Sequence, residues 1–273
     1  MGKTILSWSP IHGQANTTSN ISSLASLHAM GNDYTNLITH TQLTFSSLES
    51  LFGKVNIAKG FEDSGIAALE RLNKSNLLKS DAVRDYTETV YQNSLDLLGG
   101  RKQFSADIEQ TERLLLTAAQ AYDFVWVDAH SGGRNALTIS LMEKADLTLV
   151  NLPQNRYVLD RFFSGEDFPE VLKGRNYIIL ISSYDKTSSF SLNKIKRLYK
   201  VNVPIFEVPY SVPFKDATNT LQLAEYFYRN YMAYTDKENP SHDYIKALRK
   251  INHHITKSFG FTRNGDVEED EDE

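Results

Sequence analysis

The sequence predicts an α/β protein, a doubly wound and mostly parallel twisted sheet flanked by helices in three layers. Three observations carry that expectation. Strand-like runs alternate regularly with helical ones along the second half of the chain, which implies right-handed βαβ crossovers. Phe124–Val127 is a short, continuous apolar run of the kind buried in a parallel sheet. The chain also opens on a strand, Thr4–Trp8, that passes through the loop Ser9–Thr18 into a helix. In that geometry free backbone N–H groups and the positive end of the helix dipole converge on an anion.

The elements follow in order. Ser and Thr residues ahead of the Ile21, Leu24, Leu27 spacing supply an N-cap, so the first helix should begin near Thr17, with Gly31 as its stop. Tyr34–Thr39 reads as a second strand, and helical spacing resumes at Leu48, Leu51 and Phe52. From Glu62 to Leu98 the pattern is helical but weakly punctuated. A firmer helix spans 105–121, with Ser105 as its cap and acidic residues in its first turns. Next come a strand ending in Asp128, a helix over Ala136–Lys144 and a strand over Ala145–Pro153. Helices at Gln154–Ser164 and Ser191–Tyr199 alternate with strands at Tyr177–Ser183 and Val203–Pro209, and a last helix runs from about Ser241 to Lys257. No repeat and no Pro-, Gly- or Ser-rich linker divides the chain. Residues 1–260 are therefore expected to form one domain, followed by an acidic, disordered tail at 261–273.

Composition narrows the class. A chain of 273 residues, 41% of them hydrophobic, can bury a proper core. The formal net charge is −5, but Asp266–Glu273 alone holds seven acidic side chains, which leaves the body close to neutral. Such a body lacks the basic footprint of a nucleic-acid binder, and none is expected as a partner. The absence of cysteine removes disulfides, thiolate metal sites and a cysteine nucleophile. No apolar run approaches bilayer length and no signal-peptide pattern precedes the first strand, so a cytoplasmic protein is expected, with membrane contact only through partners.

The chemistry concentrates in two stretches. A complete phosphate loop reads G-x-x-x-x-G-K-[ST]. This chain offers Gly13, Gln14, Ala15, Asn16, Thr17 and Thr18, with Ala15 where the second Gly belongs and Asn16 where the Lys belongs. Asn can donate a hydrogen bond to a phosphate oxygen but supplies no charge. The second stretch is Tyr122–Gly133, in which Asp128 stands at the carboxyl end of a strand, where α/β sheets keep their ligand chemistry. Asp128 could hold Mg²⁺ through water, position an attacking water, or cap the following turn. His40 and His130 fall near the same place, but no third ligand stands at recognisable spacing, so turn and filler roles suit them better. His253 and His254 are adjacent on a helix and point in different directions.

Taken together, these stretches resemble the MinD/ParA group of deviant Walker A ATPases, from Thr4 to about Gly260, and within it the CpaE/TadZ-type proteins that place pilus or secretion machinery. Tyr122-Asp-Phe-Val-Trp-Val-Asp128 is similar to the group's YD-F-V-I-I-D strand, and Ala145–Pro153 to the AD…VV..P strand that follows. Val208-Pro-Tyr210 through Ala217-Thr-Asn219 resembles the IP-Y…A-x-N segment that closes the nucleotide site, which implies that Pro209 and Tyr210 flank the nucleotide. The departures are equally specific. The group's two lysines fall on Ile11 and Asn16, its D-x-D on Thr39-His-Thr41, and its adenine-facing Asn on Ser182-Ser183. The resemblance implies ATP and Mg²⁺ as ligands, with Thr17 and Asp128 on the metal and Asp128 as the one catalytic residue retained.

Losing both lysines and the switch carboxylate removes the groups that neutralise charge in phosphoryl transfer, each worth on the order of several kcal/mol in the barrier. Hydrolysis is therefore expected to be slow or absent. The function expected is a spatial organiser or adaptor for a membrane-associated assembly, acting through protein partners and as a possible homodimer. Two alternatives stand beside it: an active ATPase with a lysine-free loop, and a nucleotide-free scaffold. Two further surfaces bear on partners. The last helix places Tyr244, Leu248, Ile251, Ile255 and Phe259 on one face, which suits packing on the domain better than a membrane surface. The aromatic run Tyr226–Tyr234 fits an interface or a core-facing helix equally well.

Overall fold

The computed structural model describes residues 1–42, 46–54, 65–99, 107–133 and 135–261. Strand β1 (Lys3–Trp8) leads into α1 (Thr17–Gly31), β2 (Asn36–His40), α2 (Leu48–Leu51), α3 (Gly65–Lys74) and α4 (Ser80–Val83). A hairpin, β3 (Glu88–Tyr91) and β4 (Leu95–Leu98), precedes α5 (Ile108–Ala121), β5 (Phe124–Asp128), α6 (Ala136–Lys144), β6 (Leu147–Pro153) and α7 (Arg156–Phe163). The chain continues through β7 (Tyr177–Tyr184), α8 (Leu192–Leu198), β8 (Ile205–Pro209), α9 (Val212–Asn219), α10 (Leu223–Asn230) and α11 (His242–Ser258).

The eight strands form one sheet in the order β3-β4-β2-β5-β1-β6-β7-β8. Every pairing is parallel except the β3–β4 hairpin at one edge. Side chains of a strand alternate between faces, and here they divide between two cores. Ile5, Phe124, Trp126, Leu149 and Leu180 meet α1, α10 and α11 on one face. Leu6, Val125, Val127, Val150 and Ile179 meet α3 and α5 to α8 on the other. This is the doubly wound, three-layer sheet expected from the alternation of elements.

Helix α1 is buried on nearly all sides although it contains four serines. It lies between the sheet and α11, and small residues let the helices approach. Ser23 Oγ bonds Tyr244 of α11 at 2.9 Å, and Asn252 of α11 donates to the Leu24 carbonyl at 3.0 Å. The apolar face of α11, including Tyr244, Leu248, Ile251 and Ile255, is thus spent on the core, with Phe259 packed against it. Tyr226 and Phe227 of the aromatic run are also core residues, whereas Tyr228 is exposed. No helix among the described residues is long and apolar enough to cross a membrane.

Three local expectations are corrected. Among the described residues of the Glu62–Leu98 stretch only 65–74 and 80–83 are α-helical, and its end is the β3–β4 hairpin, which turns at Asn93 in the left-handed region. Helix α5 starts at Ile108 and is capped by Asp107, whose side chain accepts the Gln110 amide, while Ser105 lies outside the described residues. Finally, no Ser or Thr side chain caps α1. Asn16 takes that position with φ 50°, ψ 34° and makes no capping bond, its side-chain amide being bonded to Ser183 instead. Of the tail expected at 261–273, Phe261 packs against Tyr34 and Phe124 and belongs with the domain, and residues 262–273 lie outside the described residues.

Candidate functional site at the carboxyl edge of the central strands

Parallel pairing brings Ser7 of β1 and His40 of β2 into register with Asp128 of β5. The loops leaving these strands therefore emerge side by side with the start of α1. The post-β5 turn is laced to the post-β1 loop: Gly132 N–H donates to the Ser9 carbonyl at 2.8 Å and Ala129 N–H to the Ser7 carbonyl at 3.0 Å.

The loop Ser9–Thr18 is shaped as an anion cradle. Gly13 has φ +74° with nothing near a Cβ built on it, and Asn16 also lies in the left-handed region. Among the described residues no acceptor takes a backbone N–H from His12 through Ser19. Consecutive amides without an acceptor, leading into a fifteen-residue helix, are a backbone arrangement suited to an anion. The loop contains no Lys or Arg, so its attraction for an anion comes from N–H dipoles alone.

The side chains divide as follows. Thr18 Oγ1, at 2.7 Å, donates to Asp128 Oδ2, and Thr17 Oγ1 lies 3.3 Å from Ser131 Oγ. It is thus Thr18, rather than Thr17, that the fold brings to Asp128. Asp128 is fully buried, and its Oδ1 has no hydrogen-bond partner among the described residues. Burial pushes its pKa up to about 6, against the opposing hydrogen bonds from Thr18 and Gln42. A buried carboxylate oxygen without a donor is costly, and a divalent cation would complete it. The unpaired amides and this oxygen fit a magnesium phosphate ligand. The charge that a lysine would supply is missing.

Asn16 Nδ2 donates to Ser183 Oγ at 2.6 Å, tying the loop to the end of β7, where Ser183 is itself held at φ 49°. Beneath this contact Asn20 donates to Asn151 and Ser182, both at 2.8 Å, and Asn151 donates to Ser7 at 2.9 Å. These buried polar residues pin the first turn of α1 across β1, β6 and β7. Gln14 is exposed and Ala15 buried, each within the loop. Pro209 pairs with Tyr184 at the end of β8, and the half-exposed Tyr210 donates its N–H to the Tyr184 carbonyl at 3.0 Å. Both stand at the same edge of the sheet, beside Ser183.

The histidines do not form a metal centre. His40 Nδ1 accepts the Gln42 N–H at 3.3 Å, which leaves its Nε2 to donate to the buried Glu49 at 3.1 Å. His130 stands 5.4 Å from the His12 ring and donates through Nδ1 to Gln42 Oε1 at 3.3 Å. Among the described residues no group of three or more His, Asp or Glu side chains is arranged to hold a metal ion. Gln42, Ser131 and Asn151 are absent from the residues singled out by sequence. Only Ser131 carried a signal, as part of the polar, Gly-rich turn after Asp128.

The fold is that of the ParA and MinD ATPases. A ParA family ATPase from Chlorobium tepidum TLS superposes with a TM-score of 0.71 at 14% identity, covering 93% of this chain and 100% of the other. The septum site-determining protein MinD with Mg-ADP from Pyrococcus horikoshii OT3 gives 0.69 at 16% identity, over 97% and 100%. A MinC:MinD cell division complex from Aquifex aeolicus gives 0.66 at 16% identity, over 94% and 96%. At these identities the likeness is one of fold. No protein-family model and no curated protein sequence matches the chain.

Proposed function

We propose that this chain is a nucleotide-binding protein of the MinD/ParA group, akin to its CpaE/TadZ-type members, and hydrolyses ATP slowly or not at all. Its role is that of a spatial organiser or adaptor for a membrane-associated assembly of pilus, secretion or conjugation type. The observation that carries this reading is the run of amides from His12 to Ser19 that find no acceptor among the described residues, in a loop without Lys or Arg that reaches the buried, half-paired Asp128 through Thr18. Gly13, Gln14, Ala15, Asn16, Thr17 and Thr18 would hold the phosphates. Asp128 with the Thr17 or Thr18 hydroxyl would hold Mg²⁺, and Pro209 and Tyr210 would flank the base. A bound Mg²⁺ neutralises phosphate charge, the one electrostatic contribution that the loop cannot make. Two similar structures, MinD with Mg-ADP and MinD with MinC, support a nucleotide ligand and a protein partner.

One observation favours a second reading. The Asn16 amide is already bonded to Ser183, as it would be in a scaffold that has abandoned nucleotide and pairs with a second copy through this face. Steady-state and single-turnover assays separate the readings. The first predicts ATP bound and recovered intact, with dimers that depend on it. Turnover at the rate of lysine-bearing ATPases, abolished by Asp128→Asn, would overturn it in favour of an active enzyme.

A further inference from the structure

We propose that Gln42 is the positioning residue of this site: it holds Asp128 so that one carboxylate oxygen is presented to a divalent cation. The inference rests on the magnesium-nucleotide reading given above.

The Asp128 carboxylate is asymmetric. Its Oδ2 accepts two hydrogen bonds, from Thr18 Oγ1 at 2.7 Å and from Gln42 Nε2 at 3.2 Å, while Oδ1 accepts none among the described residues. Two donors on one oxygen fix the rotation of the group and leave the other oxygen to a ligand. Carboxylates that bind metal are held in this way by hydrogen bonds from behind.

Gln42 is itself over-determined. Its Nε2 also donates to the Ala129 carbonyl at 3.0 Å, and its Oε1 accepts from His130. A flipped amide would set its oxygen against the Asp128 carboxylate and the Ala129 carbonyl, so the donor must face Asp128. The backbone is anchored equally. Thr41 N–H donates to the Asp128 carbonyl at 2.9 Å, and Gln42 N–H donates to His40, which is braced by Glu49 of α2. Gln42 is buried, so these bonds face little competition from water. Glutamine suits the position because asparagine falls one methylene short and glutamate has no donor for a neighbouring carboxylate.

The test is calorimetric titration of ADP into the full-length protein, with excess Mg²⁺ and separately with EDTA, for wild type, Gln42→Leu and Gln42→Asn. Loss of positioning should cut the Mg²⁺-dependent gain in affinity by on the order of tenfold while leaving the EDTA affinity within about twofold of wild type. A purely structural role would shift both affinities together. If Gln42→Leu does not fold, as judged by circular dichroism, Gln42→Asn decides alone. Wild-type Mg²⁺ enhancement retained in the folded variants overturns the inference and leaves nucleotide binding standing. ADP binding in wild type without Mg²⁺ enhancement overturns it likewise, and no binding at all overturns the nucleotide reading as well.

Discussion

At neutral pH the Asp128 carboxylate is charged in a setting stripped of water, with one oxygen bonded twice and the other unpaired. Replacing it by Asn removes the charge and keeps the shape. In EDTA at pH 7, Asp128→Asn should therefore raise the unfolding free energy by about 1–3 kcal/mol in urea titrations. Unchanged or lower stability would mean that the carboxylate is better paired than it looks. A second residue gives a pH dependence. His28 lies among Phe124, Trp126 and Tyr34, and burial pushes its pKa down to about 4 despite its hydrogen bond to Asn36. The folded protein keeps this imidazole neutral, whereas the unfolded chain takes up a proton below its usual value near 6.5. Stability should be lost as pH falls from 6.5 towards 4, by up to about 3 kcal/mol relative to His28→Leu. Parallel pH profiles of the two proteins in urea would contradict it. Asp128 was legible in the sequence because a strand signal ran into it. Gln42 was not, since its contact depends on the register that sets His40 beside Asp128, eighty-eight positions away in the chain.

Among the elements, α11 and the β3–β4 hairpin illustrate what patterning can and cannot fix. The stripe Tyr244, Leu248, Ile251, Ile255 has helical spacing, and its burial against α1 and β8 follows from it. Leu248→Ala should cost about 2–5 kcal/mol, while Lys250→Ala on the exposed face should stay within about 0.5 kcal/mol. Equal, small effects in thermal or urea unfolding would mean that α11 is not docked. The hairpin escaped notice because each strand has only four residues and its single punctuation, Asn93, is a non-glycine in the left-handed region. Short edge strands with charged residues are weak signals beside a run of Leu and Ala. The start of α1 misled for a related reason. Serines and threonines promise a cap, but Asn16 adopts a backbone that spends its amide on Ser183, and the Thr17 and Thr18 hydroxyls turn towards Ser131 and Asp128.

For the whole molecule, the alternation of apolar strands and helices was enough to give a doubly wound sheet, because the two faces of each strand sort themselves by residue parity. The carboxyl edge then brings the Ser9–Thr18 loop to Asp128 and its polar turn, although Thr18 and Asp128 are 110 positions apart in sequence. In the proposed function, backbone dipoles and a divalent cation hold the polyphosphate in a loop without Lys or Arg. The decisive measurement is calorimetric titration of ATP and ADP, with and without Mg²⁺, into wild type and Thr18→Ala. The account predicts micromolar, Mg²⁺-dependent binding that weakens on the order of tenfold in the variant. No heat and no thermal stabilisation with millimolar nucleotide would contradict it and leave the amide cradle as a relic.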